Sequence, residues 1–127
     1  MSEFSEYLRG KRIEKNITLR KMAKDLEISV SYLSDIESGR KMAPNSKDDK
    51  YKNLIEDITA YLKLNNVEKE QLVMLADRDL ADHGHISNDI TSYIGTTPLA
   101  SVALRKAKET NLTDADWERI IRNMDNK

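Results

Sequence analysis

The chain predicts an all-α fold, and three observations predict it. Apolar residues recur three and four positions apart in one segment after another along the 127 residues, each time marking one face of a helix. Hydroxyl residues stand where several of these segments open, and glycines stand where others close. Residues 18–40, TLRKMAKDLEISVSYLSDIESGR, compress two such segments into 23 residues, so two short helices must meet at a tight corner.

A first helix is expected over residues 2–15, with Phe4, Tyr7 or Leu8, and Ile13 inward, Arg9, Lys11, Arg12 and Lys15 outward, and Asn16 as its stop. Thr18 is an N-cap candidate; Leu19, Met22, Ala23 and Leu26 follow on one face, with Arg20, Lys21, Lys24 and Asp25 off it. Glu27 and Ile28 break the pattern before Ser29, a second N-cap candidate. Tyr32, Leu33 and Ile36 then share a side, and Gly39 marks the end. The small Ala23 lets the two helices approach steeply while Ile28 plugs the corner, which makes a helix-turn-helix.

Residues 43–50, APNSKDDK, read as a polar loop. Tyr51, Leu54, Ile55, Ile58 and Leu62 define a fourth helix that closes the core over the motif, and a fifth spans residues 68–81 with Leu72, Leu75, Ala76 and Leu80 inward. Residues 82–87, DHGHIS, interrupt the pattern. Two histidines one residue apart in a glycine turn rarely aim at one ion, and no third ligand is placed beside His83 and His85, so no metal and no cofactor is expected.

Ile86, Ile90, Tyr93 and Ile94 make a short helix that Gly95 ends. Thr97 caps and Pro98 opens the next, which runs to Glu109 with Leu99, Val102, Ala103 and Ala107 on a face and Leu104 beside them. Thr113 caps a last helix with Asp116 three residues on, as in a capping box, and Trp117, Ile120, Ile121 and Met124 share one side.

Composition bounds the function. Charged residues are 34% and hydrophobic ones 39% of the chain, with no apolar run long enough to span a bilayer, so no membrane partner is expected. The absence of cysteine rules out a disulfide scaffold and a thiolate metal site. The opening residues MSEFSEYL carry acids and no long apolar core, so no secretion signal is expected and a cytoplasmic location is the simplest. Net charge is −1, which at first opposes a nucleic-acid partner. Residues 1–41, however, hold nine Lys+Arg against seven Asp+Glu, so the small basic excess sits with the motif. A single copy should then bind modestly, with dimerisation supplying the rest.

Residues 8–44, LRGKRIEKNITLRKMAKDLEISVSYLSDIESGRKMAP, resemble the lambda-repressor-like domain of the XRE family of bacterial and phage transcriptional regulators. The matching positions are Leu8, Arg12, Ile17, Thr18, Leu19, Met22, Ala23, Leu26, Ile28, Ser29, Leu33, Ser34, Ile36, Glu37, Gly39, Arg40 and Pro44. The resemblance implies a lambda-repressor-like helix-turn-helix domain over residues 1–82 with a C-terminal helical extension over 86–127, and double-stranded DNA as partner. It also implies that Arg12 pairs with Glu37, tying the first helix to the recognition helix. The family usually has glycine in the turn where this chain has Glu27, and a non-glycine residue at positive φ costs about 1 kcal/mol, so the turn is either strained or shaped differently. The family also reaches its next helix sooner after the proline; an insertion of about half a dozen residues in such a loop costs little.

On this reading Ser29, Val30, Ser31, Ser34 and Asp35 are the expected base contacts. Serine hydroxyls donate or accept, Val30 suits a thymine methyl, and Asp35 either accepts from a cytosine amino group or repels phosphate. None of the five is an Arg, Asn or Gln able to read a base with two hydrogen bonds. Phosphate contacts are expected from the Leu19 and Arg20 backbone amides and from Arg20, Lys21, Arg40 and Lys41 as cations; Tyr32 is either a core residue or a further phosphate donor.

The extension resembles the tail of a subset of XRE regulators with the form alanine-leucine-arginine-lysine, then threonine-aspartate-x-aspartate-tryptophan, here residues 103–106 and 113–117. Some of those relatives sit beside toxins or metallopeptidases, which makes either a candidate partner. The extension either packs on the common core or buries Trp117 and its isoleucines against a second copy; a homodimer is preferred. The leading expectation is a sequence-specific repressor. An antitoxin or adaptor whose C-terminal helices bind a partner protein is the alternative. No Gly-rich phosphate loop, histidine-glutamate metal motif or serine-histidine arrangement occurs, so no enzyme is expected.

Overall fold

Short polar side chains start several of the helices by accepting a backbone N–H that would otherwise be left over in the first turn. In this computed structural model, which describes residues 2–86 and 88–126, Ser2 caps α1 (Glu3–Glu14), Thr18 caps α2 (Leu19–Asp25) and Ser29 caps α3 (Val30–Ser38). Met1, Ser87 and Lys127, which fall in the expected segments 1–82 and 86–127, lie outside the described residues. After α4 (Leu54–Tyr61) comes α5 (Asn66–Asp82), opened by a capping box in which Asn65 and Glu68 each accept the other's N–H. Three more helices follow: α6 (Asn88–Thr96), α7 (Pro98–Glu109) and α8 (Asp114–Asp125). Among the described residues there is no strand, so the fold is all-α.

One device ends five of these helices. Asn16, Glu27, Lys63, Gly84 and Asn111 each adopt a left-handed φ, between 52° and 82°. The N–H of the next residue then reaches back five positions: Ile17 to Arg12 O, Ile28 to Ala23 O, Leu64 to Thr59 O, His85 to Leu80 O and Leu112 to Ala107 O, at 2.8–3.2 Å. This closes the last turn and drops an apolar residue, at Ile17, Ile28 and Leu64, against the core. The turn of the motif is therefore strained rather than reshaped, since Glu27 holds φ 57° without being glycine.

The chain divides into two compact units, Met1–Asp89 and Ile90–Lys127. In the first, α1 packs on α3 and α5, and α2 packs on α3. Phe4, Leu8, Met22, Ala23, Leu33, Ile36, Ile58, Leu62 and Leu72 are fully enclosed in one core. Ile13, expected inward, is 52% exposed: Phe4 and Leu8 set the buried stripe of α1, and a residue five positions past Leu8 falls well off it. Tyr51, expected within α4, precedes it and stacks its ring on Tyr32 at 3.9 Å between centroids. The loop expected to be polar over 43–50 begins with a buried Ala43 and Pro44. Ala43 N–H donates to the buried Asp79 carboxylate at 2.7 Å.

In the second unit, α6 runs through Gly95 rather than ending there, because Gly95 keeps a right-handed helical φ. Thr97 makes no side-chain cap bond; Pro98 alone opens α7. Thr113 and Asp116 form the capping box of α8. None of the described residues from Ile90 onward is buried.

What fixes the angle of α3 is a buried ion pair. The Arg12 guanidinium donates from Nε to Glu37 Oε2 at 2.8 Å and from Nη2 to Glu37 Oε1 at 2.9 Å, while Nη1 donates to Ile17 O at 2.8 Å. One side chain thus joins α1, the entry to α2 and the end of α3. Glu37 is only 4% exposed, so its charge depends on this partner.

Removing one member strands a buried charge. Arg12→Ala or Glu37→Gln should lower stability by about 3–5 kcal/mol in urea denaturation, and the double change Arg12→Met with Glu37→Leu should recover most of it. Single substitutions that leave the urea midpoint in place would show that the pair anchors nothing. Glu27→Gly relieves the left-handed strain and should stabilise by about 0.5–1 kcal/mol, read as a Tm a few degrees higher with unchanged helix content by circular dichroism.

Candidate nucleic-acid interface

The two faces of α3 do opposite jobs. Tyr32, Leu33, Ile36 and Glu37 are buried, which turns Val30, Ser31, Ser34 and Asp35 toward the outside along the helix. Val30 is 41% exposed, Ser31 is exposed, and Ser34 and Asp35 are half-buried. Ser29 also lies at the surface, but its hydroxyl accepts the Tyr32 N–H at 3.0 Å, so its lone pair serves the helix. The structure thus brings these five residues onto one short, mostly polar edge at the start and middle of α3.

Asp35 is not open. Its carboxylate accepts from Arg40 Nε at 2.9 Å and lies 3.9 Å from Lys41 Nζ, and Arg40 Nη2 donates to Ser34 Oγ at 3.1 Å. The chain can do this because Gly39 takes φ 81° and Lys41 N–H returns to Asp35 O at 3.1 Å, folding residues 40 and 41 back along the helix.

Among the other expected contacts, Tyr32 is a core residue. It is 9% exposed and stacked on Tyr51, and burial, with smaller contributions from Tyr51 and Asp48, pushes its phenol well above its ordinary pKa. Leu19 is half-buried at the start of α2 and packs against the core, with Arg20 exposed beside it. Arg20 has no ion-pair partner among the described residues. Lys21 reaches Asp25 at 3.2 Å; Asp25 also accepts the Tyr61 hydroxyl at 2.6 Å, and these two contacts, Tyr61 first, hold its carboxyl below the usual range. Lys41 lies 5.6 Å from the Tyr32 ring centroid.

Two positioning residues escaped the sequence analysis. Asp79 lies in the apolar stripe of α5 between Ala76 and Leu80, and an acid in such a stripe is itself a signal that something must pair with it; here it holds the loop that leaves α3. Glu68 serves twice, in the α5 capping box and in an ion pair with Lys11 at 2.7 Å that ties α5 to α1. Among the described residues no three His, Cys, Asp or Glu side chains are arranged to hold a metal ion, and His83 Nδ1 lies 2.8 Å from Asp79 O. No helix among them is long and apolar enough to cross a membrane.

No curated protein and no solved structure matches the chain. A family model described as a helix-turn-helix domain matches residues 6–78, more than half of the chain, and takes in most of α1, all of α2, α3 and α4, the Arg12–Glu37 pair and most of α5. The chain belongs to this family of helix-turn-helix domains.

Proposed function

We propose that this protein is a sequence-specific, DNA-binding transcriptional regulator of the lambda-repressor-like XRE type, acting as a repressor in the cytoplasm. The observation that carries the proposal is the two-sided α3: one side is locked to α1 by Arg12 and Glu37, and the other offers Val30, Ser31 and Ser34 at the surface. A short helix held rigidly with a polar edge outward suits the major groove, where serine hydroxyls meet base edges and a valine meets a thymine methyl. Residues 1–82 form the DNA-binding domain, and Arg20, exposed at the start of α2, supplies a phosphate contact.

Residues 86–127 form the dimerisation or partner-binding segment. Leu99, Val102 and Leu104 on α7 and Ile121 and Met124 on α8 are exposed, Leu99 by 79%, which is unusual for aliphatic side chains in such number on two short helices. A two-fold dimer would set its recognition helices about 34 Å apart, one turn of DNA, and give a roughly palindromic operator. The same exposed side chains favour a second reading that coexists with the first: an antitoxin or adaptor whose tail also binds a protein such as a toxin or metallopeptidase.

Mobility-shift titration against DNA from upstream of the protein's own gene tests the first reading. The complex should weaken as salt rises, Arg20→Ala should weaken binding to all sequences and reduce the salt slope by about 1, and Ser31→Ala should weaken only the cognate site. A chain that shifts no DNA at low salt is not a regulator. Sedimentation velocity tests the tail: the wild type should be a dimer, and Leu99→Asp with Ile121→Asp a folded monomer that binds the operator more weakly. A wild-type monomer that co-purifies with a second polypeptide would favour the antitoxin or adaptor reading instead.

A further inference from the structure

We infer that Arg40 reads a guanine in the major groove, with Asp35 and Ser34 orienting its guanidinium for that contact. The inference rests on the DNA-binding reading above and adds the base and the residue that recognises it. Along α3, Ser34 stands three and four positions after Ser31 and Val30, so all three share the outward edge. Arg40 does not belong to α3, yet its side chain is carried onto that edge by the left-handed Gly39 and by the return of Lys41 N–H to Asp35 O.

The geometry of the fork is specific. Nε donates to Asp35 Oδ1 at 2.9 Å and Nη2 to Ser34 Oγ at 3.1 Å, which occupies the side of the guanidinium that carries Nε. The opposite end, Nη1 with the outer N–H of Nη2, has no partner among the described residues, and the side chain is 63% exposed. Two parallel N–H groups on a planar, pre-oriented end match the O6 and N7 acceptors of guanine, the commonest specific contact an arginine makes with a base. The edge otherwise has no side chain capable of a two-hydrogen-bond contact, because Val30, Ser31 and Ser34 offer one hydroxyl each or none.

The pairing also disposes of a difficulty. An unpaired Asp35 on the DNA-facing edge would repel the phosphates, whereas an Asp35 that holds Arg40 turns a liability into a brace. Asp35 is therefore a positioning residue, acting through Arg40 and not on the base itself.

The test is a selection from a random duplex library followed by titration of the selected site and of variants at each G·C pair. Wild type should select a motif with a fixed G·C pair, and replacing that guanine by 7-deazaguanine or by adenine should weaken binding about ten- to a hundred-fold. With Arg40→Ala, and equally with the charge-preserving Arg40→Lys, the same replacement should change binding less than two-fold, roughly, because the fork is gone. Asp35→Asn should reduce the discrimination between the two sites and, by removing a negative charge from the edge, should leave binding to random DNA no weaker than in wild type. Arg20→Ala, a phosphate contact, should keep the full discrimination. Thermal melts matching wild type confirm that these substitutions leave the fold intact. If Arg40→Ala weakens all sequences alike, lowers the salt slope by about one and keeps the selected motif, Arg40 is a phosphate contact and the inference is overturned. A wild type that selects no motif and shifts no DNA overturns the regulator reading and this inference together.

Discussion

The bidentate pair between Arg12 and Glu37 is the constraint on which the orientation of the motif depends. A glutamate near the end of α3, at a position that faces the core, is unfavourable by itself, since a buried carboxylate loses its water. Arg12 meets both of its oxygens with parallel N–H donors, and the third nitrogen group closes on Ile17 O, the carbonyl just before the α2 cap. Apolar packing of Leu33 and Ile36 against Met22 and Ala23 would allow α3 some rotation and slide; a planar fork with fixed hydrogen bonds does not. A hydrophobic pair of the same volume would hold the helices as firmly in energy, so the benefit of the ion pair lies in register. For a helix that presents three or four side chains to an external surface, register decides whether they point the right way.

The second device common to the chain is the left-handed helix end. Helices of seven to twelve residues cannot rely on their own cooperativity, and each needs a defined stop so that the next can start within a few residues. Asparagine at positions 16 and 111 tolerates the conformation well, while Glu27 and Lys63 adopt it at a cost of about 1 kcal/mol each. That strain is tolerated because Ile28 and Leu64, one residue on, are seated against the core. The corner of the motif is therefore held by burial of Ile28 more than by preference of Glu27.

Most of the first unit was legible because its elements are amphipathic and capped. The periodicity of residues 18–40, the caps at Thr18 and Ser29 and the stop at Gly39 act locally, and local rules suffice to find them. Ile13 points outward because Phe4 and Leu8 decide which stripe of α1 is buried, and an apolar residue near the helix end is not inward for being apolar. Gly95 does not end α6, because a glycine stops a helix only when it takes a left-handed φ and Gly95 does not; Thr97 holds the N-cap place of α7 without a side-chain bond. The Arg40 contacts with Ser34 and Asp35 and the bond from Ala43 to Asp79 were out of reach, since they join residues across a turn or across 36 positions, and no spacing rule reports them. The burial of Tyr32 is not legible from its own helix, because the ring that covers it, Tyr51, comes from the far side of the loop.

The charge balance acquires a sharper meaning once the pairs are known. Of the nine cations in residues 1–41, Lys11, Arg12, Lys21, Arg40 and Lys41 stand within reach of carboxylates, which leaves Arg9, Lys15, Arg20 and Lys24 without an ion pair among the described residues. For a regulator, four unpaired cations on one copy, not all of them on one face, supply only the weak, roughly 10⁻⁴–10⁻⁶ M attraction typical of non-specific DNA binding. Two copies joined through a common surface would make the second engagement intramolecular, a gain of about 10²–10⁴ without any new contact to DNA. The two helices with exposed Leu99, Val102, Ile121 and Met124 are where such a joint would be made. In the proposed dimer a weakly charged reading unit and an apolar tail would be complementary parts of one design: affinity would come from the second copy, and the small number of unpaired cations would keep a single copy from holding every sequence it meets.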